Sequence, residues 1–247
     1  MAEEQGTFWR SLVTATDIIA ELKPLGKDSY KKVMLAHGAK EPFFGVKIED
    51  LKKVQKRIKK DYQLALDLFD TGISDAMYLA GLIADDETMT KKDLQHWADK
   101  AYFPLISECT VAWVAAEGKH GREMALKWID SKKENVASSG WATLSCLTAL
   151  TDDADLDLAE LKQLLQRVEK TIHQQPNRVR YTMNSFVINV GSHVKPLANA
   201  AIETAKKIGP VSVDMGGTAC KVPSAVEYIK KVEARGSLGK KRKTVKC

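Results

Sequence analysis

The sequence predicts an all-α protein built from stacked pairs of helices. Nearly every stretch spaces its apolar residues as an amphipathic helix does, and almost none alternates as a strand does. The helices recur in pairs of about 30 to 40 residues, a period typical of helical solenoids. Because stacked pairs form one long curved surface instead of a closed pocket, we expect an extended partner.

Glycine, proline and capping residues separate the helices of the first half. A first helix is predicted over 7–22 and ends before Pro24. Asp28 begins the second, which stops at Gly38. The third covers 48–60 and carries one apolar stripe, and a capping pattern of Thr90 and Asp93 begins a later one. Further helices are predicted over 63–70, 74–84, 90–97, 103–117, 122–131 and 134–150.

The second half continues the same rhythm after an acidic connector at 151–157. Helices are predicted over 158–174, from Pro176, and from Pro196 to near 209. Residues 209–217 form a loop, and Ser224 with Glu227 caps a last helix that stops at Gly236. The chain is therefore predicted to be a single domain over 1–236. Residues 237–247 are too basic to pack and form a mobile tail.

Composition indicates an intracellular globular protein. Of 247 residues, 44% are hydrophobic and 28% are charged. No apolar run approaches the roughly 20 residues of a membrane span, and the acidic N-terminus lacks an apolar signal region. The four cysteines are far apart and show no zinc-site spacing, so no metal or cofactor is predicted. We expect a cytoplasmic monomer with no membrane partner, located with the nucleoid if the protein is bacterial.

The positive charge is concentrated near the C-terminus. The whole chain carries +6, whereas residues 230–247 hold eight basic residues and one acid, or +7, which leaves −1 for the rest. A second basic segment is the solvent side of the helix at 48–60. Such side chains suit a phosphate backbone because each neutralised phosphate releases a counterion, although exposed helix faces are commonly lysine-rich without any function. The candidate contacts in these two segments are Lys52, Lys53, Lys56, Arg57, Lys60, Lys240, Lys241, Arg242 and Lys243.

Three further residues are candidates for contact with nucleic acid. Arg178 and Arg180 lie near a helix N-terminus after Pro176, and both features favour phosphate. Trp97 would stack on a base if its ring faced a groove, although a helical tryptophan more often belongs to the core.

The order of several segments resembles the AlkD-like DNA alkylation repair family. The resemblance covers roughly residues 30 to 190. The segments that carry it include Phe43-Phe44-Gly45-Val46-Lys47, the helices at 76–84 and 103–117, and Trp128-Ile129, and a subgroup shares the ending from 213–223 through the basic tail. It implies HEAT-like repeats with a basic concave groove for double-stranded or branched DNA. Active relatives are N-glycosylases that excise N3- or N7-alkylated purines with the help of a carboxylate.

The sequence departs from the family pattern at its catalytic motif. The family motif is Trp-Asp-x-x-Asp, whereas this chain reads Trp97-Ala98-Asp99-Lys100-Ala101 and places alanine at the catalytic position. Asp99 lies nearly opposite Trp97 on a helix that turns about 100° per residue, whereas Asp93 shares the tryptophan face one turn earlier. These two carboxylates are the catalytic candidates, and both are poor matches.

Three functions remain open at this point. The first is a DNA-binding member of the family whose glycosylase centre is degenerate or altered. The second is an active glycosylase that uses Asp93, Asp99 or a carboxylate from elsewhere, such as Asp214. The third is a helical-repeat scaffold that binds another protein.

Overall fold

The computed structural model describes residues 13–246, and in this range the chain is all-helical, with no strand. Residues 7–12 of the first predicted helix lie outside the described part. No helix within 13–246 has the length and apolar character needed to cross a membrane. The helices are α1 Ala15–Leu22, α2 Asp28–Ala36, α3 Ile48–Ile58, α4 Tyr62–Asp70, α5 Ser74–Ile83, α6 Lys91–Lys100, α7 Ala112–Glu117, α8 Gly121–Trp128, α9 Glu134–Leu150, α10 Leu158–Thr171, α11 Asn177–His193, α12 Ala198–Ile208 and α13 Ala225–Ala234.

Local sequence chemistry explains where these helices begin. At α6, the Thr90 hydroxyl accepts from the Asp93 N–H at 3.2 Å, and the Asp93 carboxylate accepts from the Thr90 N–H at 2.9 Å. This reciprocal cap confirms the predicted pattern. At α13, the Ser224 hydroxyl accepts from the Glu227 N–H at 3.4 Å. The predicted helix over 103–117 is present but begins with a π-helical turn, Leu105–Val111, which leads directly into α7.

The helices form two layers. An outer layer contains α4, α6, α8, α10 and α12, and each of these is followed by a helix of the second layer. The second layer, here called the groove layer, contains α5, the 105–117 helix, α9, α11 and α13, which pack side by side in that order. This repeated two-helix arrangement is that of a helical solenoid, in agreement with the predicted fold class.

The core comprises two apolar clusters that meet at α9. One cluster joins α1 to α8 and the other joins α8 to α13, and α9 supplies Val136 to the first and Trp141 to the second. Gly140 allows α9 to approach α8 closely, because a Cβ there would lie 2.8 Å from the Ile129 nitrogen and 2.9 Å from the Ala125 oxygen. The helix thus connects the two halves of the array.

Residues 239–246 form an extended segment, here called the strap, that crosses the C-terminal ends of the groove-layer helices in reverse chain order. The Gly239 N–H donates to the Ser192 oxygen of α11 at 2.8 Å, and the Arg242 N–H donates to the Ala149 oxygen of α9 at 2.7 Å. Further along, the Val245 N–H donates to Glu117 of α7 at 2.8 Å. These unpaired helix carbonyls and the negative end of the helix dipole favour a basic segment.

The prediction that residues 237–247 do not pack is wrong for the strap. Val245 is buried in the first core cluster, and the Lys246 ammonium lies 2.7 Å from the buried Asp86 carboxylate. Composition suggested a solvated tail because a single valine is too weak a signal of packing. The partners that hold the strap lie 47 to 160 residues away along the chain.

Candidate functional site

A groove runs along the exposed face of the groove layer. It consists of two adjoining cavities that share Glu108, Cys109 and Tyr181. The first, about 670 Å³, is bounded by α2, the π-helical turn, the start of α11 and the loop at 214–220. The second, about 340 Å³, is bounded by α9, α11, α13 and the strap.

A buried ion pair joins the two cavities. Arg178 donates from Nε to Oε1 of Glu108 at 2.8 Å and from Nη2 to Oε2 at 2.6 Å. The Glu108 side chain is 9% exposed and that of Arg178 is 21% exposed. Two parallel charge-assisted hydrogen bonds fix the geometry of both groups and neutralise most of their charge.

The pair sits where three groove-layer elements meet. Glu108 comes from the π-helical turn, Arg178 comes from the first turn of α11, and the Arg178 N–H donates to the Glu134 carboxylate at the start of α9 at 2.6 Å. The Arg178 guanidinium also lies 4.4 Å from the centroid of the Tyr181 ring. One arginine thus holds three helices and one aromatic side chain in register at the floor of the groove.

Burial perturbs the titration of these groups. Desolvation raises the pKa of the Glu108 carboxyl, and the Arg178 contact offsets only part of this effect. Burial acts to lower the pKa of Arg178, but the hydrogen bonds and charge of Glu108 outweigh it, so that the pKa is raised. Burial also raises the pKa of Tyr181, with a further contribution from the Glu108 charge. Clusters of perturbed groups in a cleft are typical of functional sites.

The sequence-predicted catalytic segment lies elsewhere, on the outer-layer helix α6. Trp97 is fully buried and stacks on Phe69, with ring centroids 4.1 Å apart, so its ring has no surface for a base. The assignment of Trp97 to a DNA groove is therefore wrong in this structure. The ring packs into the core because it falls on the apolar face of α6, next to Leu94 and Ala98.

Both candidate catalytic carboxylates on α6 have structural partners. Asp93 caps the helix and accepts from the Tyr62 hydroxyl at 2.8 Å. Asp99 accepts from the Lys133 ammonium at 2.8 Å and from the Gln95 amide at 3.1 Å. The hydrogen bond from Thr90 lowers the pKa of Asp93 against the opposing effect of burial, and that from Lys133 lowers the pKa of Asp99. Neither residue lines the two cavities of the groove.

The basic residues of α3 are on the surface but outside the two cavities. Lys53 pairs with Asp50 at 2.7 Å, Arg57 pairs with Glu21, and Lys60 lies 3.5 Å from Asp85. Lys52 and Lys56 have no ion-pair partner among residues 13–246. The cavities themselves carry the arginines Arg178 and Arg242 and the carboxylates Glu108 and Asp214, so their charge is balanced and not strongly basic.

Of the remaining residues predicted to contact nucleic acid, some bind other side chains of the protein and others face solvent. Arg180 is half-buried, points an Nη2 donor at Asn177 Oδ1 at 3.4 Å, and lines neither cavity. Lys241 pairs with Asp153 at 2.8 Å. Lys240 and Lys243 are exposed on the strap, and Arg242 faces the second cavity.

Sequence reasoning missed Glu108 and Tyr181 as groove residues. One signal was available: Glu108 is the only charged residue between Phe103 and Ala116, in an otherwise apolar helix. A lone carboxylate in such a segment needs a partner, because an unpaired charge is rarely buried. The partner, Arg178, lies 70 residues later and had been interpreted only as a phosphate contact.

The fold defines a helical-repeat protein with a groove of two adjoining cavities along one layer. Comparisons with known proteins agree. A family model described as "DNA alkylation repair enzyme" matches residues 18–229. An uncharacterized protein of Listeria innocua is 33% identical over 230 residues, covering 91% of this chain and 99% of the relative. An uncharacterized protein of Listeria monocytogenes shows the same identity and coverage.

A solved structure is similar over nearly the whole chain. It is 37% identical, has a TM-score of 0.88, and covers 95% of this chain and 100% of the other. That protein is described as one of "a new family of proteins related to the HEAT-like repeat DNA glycosylases with affinity for branched DNA structures". The chain belongs to the DNA alkylation repair family and has its HEAT-like repeat fold.

Proposed function

We propose that the protein binds double-stranded or branched DNA along its groove and basic edge, and that its glycosylase centre is altered. The observation that carries this proposal is that the three candidate carboxylates already have partners within the protein. Asp93 and Asp99 are engaged on the outer-layer helix, and the groove carboxylate Glu108 is held by two hydrogen bonds from Arg178. None of these three is free to support a cationic sugar. The affinity of the similar solved protein for branched DNA favours the same class of partner.

The cations that we assign to DNA contact lie on the edge formed by the strap and α3. Lys246 and Lys60 approach the same carboxylate of Asp86, at 2.7 Å and 3.9 Å, so the end of the strap adjoins the end of α3. Lys56, one turn before Lys60 in the sequence, and Lys243, three residues before Lys246 on the strap, are both exposed. A backbone that follows this edge would meet successive positive charges beside the groove.

Binding is tested with a fluorescein-labelled four-way junction and a linear duplex of equal length. Anisotropy titrations at several salt concentrations give the slope of log affinity against log salt, which changes by about 0.9 for each phosphate contact. We expect Lys52→Glu combined with Lys56→Glu to weaken binding and to reduce that slope by about two.

The matched control is Lys162→Glu combined with Lys170→Glu, on exposed positions of α10 in the outer layer. The control should bind as the unmodified protein does. If neither DNA binds, or if binding does not depend on salt, DNA is not the partner and a protein ligand takes its place. Equal losses in the two double variants would show that α3 has no special role.

A second candidate function is excision of an alkylated purine. One observation favours it: Glu108, whose pKa is raised by burial, and Asp214 line the same cavity of about 670 Å³. An alkylated purine is already a good leaving group, so a single carboxylate near the sugar would contribute much of the catalysis. Asp214 is exposed, and among the described residues its side chain accepts only a local hydrogen bond, from the Gly216 N–H at 2.8 Å.

Incubation with duplex DNA that contains 7-methylguanine distinguishes the two functions. We expect no more abasic sites than in a protein-free control. Turnover by the unmodified protein that disappears in Asp214→Asn, with DNA affinity unchanged, would establish glycosylase activity. It would also refute the proposal that the glycosylase centre is altered. Asp99→Asn serves as the matched carboxylate control on α6.

A further inference from the structure

The second cavity of the groove is closed on one side by the strap, which fixes the position of Arg242. On one side of this residue, Lys241 donates to the Thr148 oxygen at 2.9 Å and pairs with Asp153. On the other side, Val245 is buried. The Arg242 N–H itself donates to Ala149. The backbone is therefore held at the C-terminal end of α9, and the side chain extends along the cavity wall.

Within residues 13–246, the charge of Arg242 is not compensated. No carboxylate pairs with it among the described residues, whereas Lys241 and Lys246 are each bound to a buried or half-buried aspartate. The one carboxylate on the cavity wall, Glu108, is already neutralised by Arg178. An anion that entered this cavity would meet a single unpaired guanidinium.

Two polar residues line the cavity together with this guanidinium. His193 donates from Nδ1 to the Lys240 oxygen at 2.7 Å, so Nε2 accepts in the neutral ring and donates to an anion once the ring is protonated. Ser192 is 2% exposed, and its hydroxyl has no hydrogen-bond partner within residues 13–246. Both residues line the second cavity with Arg242 and with the exposed Tyr228. A buried hydroxyl without a partner is uncommon and indicates that a ligand or water completes the site.

The environment of His193 is electrostatically positive. Burial lowers the pKa of its imidazole most, the hydrogen bond to the Lys240 carbonyl acts in the opposite direction, and the positive charges of Arg242 and Lys241 lower the pKa further. A bound anion would relieve this repulsion and favour the protonated, donating form of the ring.

We propose that the second cavity binds a phosphate group, with Arg242 as its principal charge and His193 and Ser192 as hydrogen-bond donors. This inference rests on the proposed function, because a backbone phosphate of bound DNA is the expected source. The planar guanidinium forms two hydrogen bonds to a phosphate, and a single such group beside an aromatic side chain suits one nucleotide that leaves a helical stack at a branch point. In this proposal, one phosphate of a branched DNA occupies the second cavity of the groove layer, beside the basic edge.

The test compares Arg242→Gln with Lys162→Gln, at an exposed position of the outer-layer helix α10 that does not line the cavity. We expect Arg242→Gln to weaken binding of a labelled four-way junction roughly tenfold at low salt and to reduce the salt slope by about one. Lys162→Gln should leave both the affinity and the slope unchanged. Ser192→Ala should weaken binding about threefold without lowering the melting temperature, since its hydroxyl has no partner to lose.

A second measurement separates the two sources of phosphate. The His193 ring resonance, assigned with His193→Gln, is followed during titration with inorganic phosphate and then with junction DNA. We expect both ligands to shift it in the unmodified protein and neither to shift it in Arg242→Gln. A shift with inorganic phosphate that DNA neither reproduces nor displaces would make the ligand a free anion and overturn the assignment to DNA.

Failure of this inference and failure of the proposed function give different results. If the junction binds but Arg242→Gln binds it as tightly as Lys162→Gln does, the cavity assignment is overturned and DNA binding stands. If the unmodified protein binds no DNA, the proposed function fails. A phosphate shift at His193 would then still support the cavity as an anion site, and its absence would overturn that as well.

Discussion

Replacing Arg178 with methionine leaves the Glu108 carboxylate buried without a partner. The side chain of Glu108 is 9% exposed, so little water can replace the two lost hydrogen bonds. Removal of one member of a buried ion pair typically destabilises a protein by about 3 to 5 kcal/mol. We expect a loss near the lower end, about 3 kcal/mol, because Arg178 is partly exposed and its removal also admits solvent.

The loss should depend on pH. Without the arginine, the folded-state pKa of Glu108 rises further above the unfolded value, so the folded state retains a proton that the unfolded state releases. The destabilisation from the unpaired charge is therefore absent below the unfolded pKa, about 4.3, and grows as the pH rises. The destabilisation reaches its full value above the folded-state pKa of Glu108. Between the two pKa values, the free energy of unfolding falls by at most about 1.4 kcal/mol per pH unit.

Urea unfolding at pH 5, 6.5 and 8 measures the effect. The matched control is Arg122→Met, because Arg122 also holds a glutamate, Glu160, with two hydrogen bonds, at 3.0 and 2.7 Å, but its side chain is 60% exposed. The control should lose less than about 1 kcal/mol at every pH. Adding Glu108→Gln to Arg178→Met should recover part of the stability at pH 8. Equal losses at pH 5 and pH 8 for Arg178→Met would refute the reasoning.

Three further predictions concern other parts of the molecule. Trp97→Ala removes a fully buried ring stacked on Phe69 and should destabilise the protein by about 3 to 5 kcal/mol in thermal or urea unfolding, while the affinity of the folded fraction for DNA stays unchanged. Lys59 has a φ of 68° at the end of α3, so Lys59→Gly should raise the free energy of unfolding by about 1 kcal/mol; a decrease would show that the lysine side chain stabilises the turn. Lys246→Met leaves the buried Asp86 carboxylate with the more distant Lys60 as its ion-pair partner among the described residues. The variant should lose about 2 kcal/mol of stability, and proteases should cleave its strap faster. Unchanged cleavage would show that this ion pair does not hold the strap in place.

The sequence was sufficient for the fold class because the evidence for each helix is local. Apolar stripes placed α3 and α10, and the Thr90–Asp93 cap placed the start of α6. The end of α3 was predicted two residues late, since the positive φ of Lys59 has no sequence signal comparable to a glycine. The period of the helix pairs predicted a helical solenoid, and the family resemblance specified HEAT-like repeats; the family model confirms the family, and the solved structure confirms the repeat fold.

The groove was not predictable in the same way, because its residues come together only in the folded chain. The partners Glu108 and Arg178 are 70 residues apart in the sequence. Trp97 is buried because the face of α6 that carries it packs against the core. A helical pattern shows that a tryptophan lies on an apolar face, but it does not show whether that face meets the core or a ligand. The strap was missed for a related reason, since its stability comes from carbonyls and carboxylates at the ends of other helices.

Solenoids generally unfold piece by piece, because each repeat contacts only its neighbours. In this molecule the contact between Lys246 and Asp86 spans 160 residues, and it adds a long-range restraint to an otherwise nearest-neighbour structure. The repeats should therefore melt in a single cooperative transition while the strap is in place, and in separate steps once it detaches. A segment that resembles a disordered appendage would then determine whether the array behaves as one thermodynamic unit or as several.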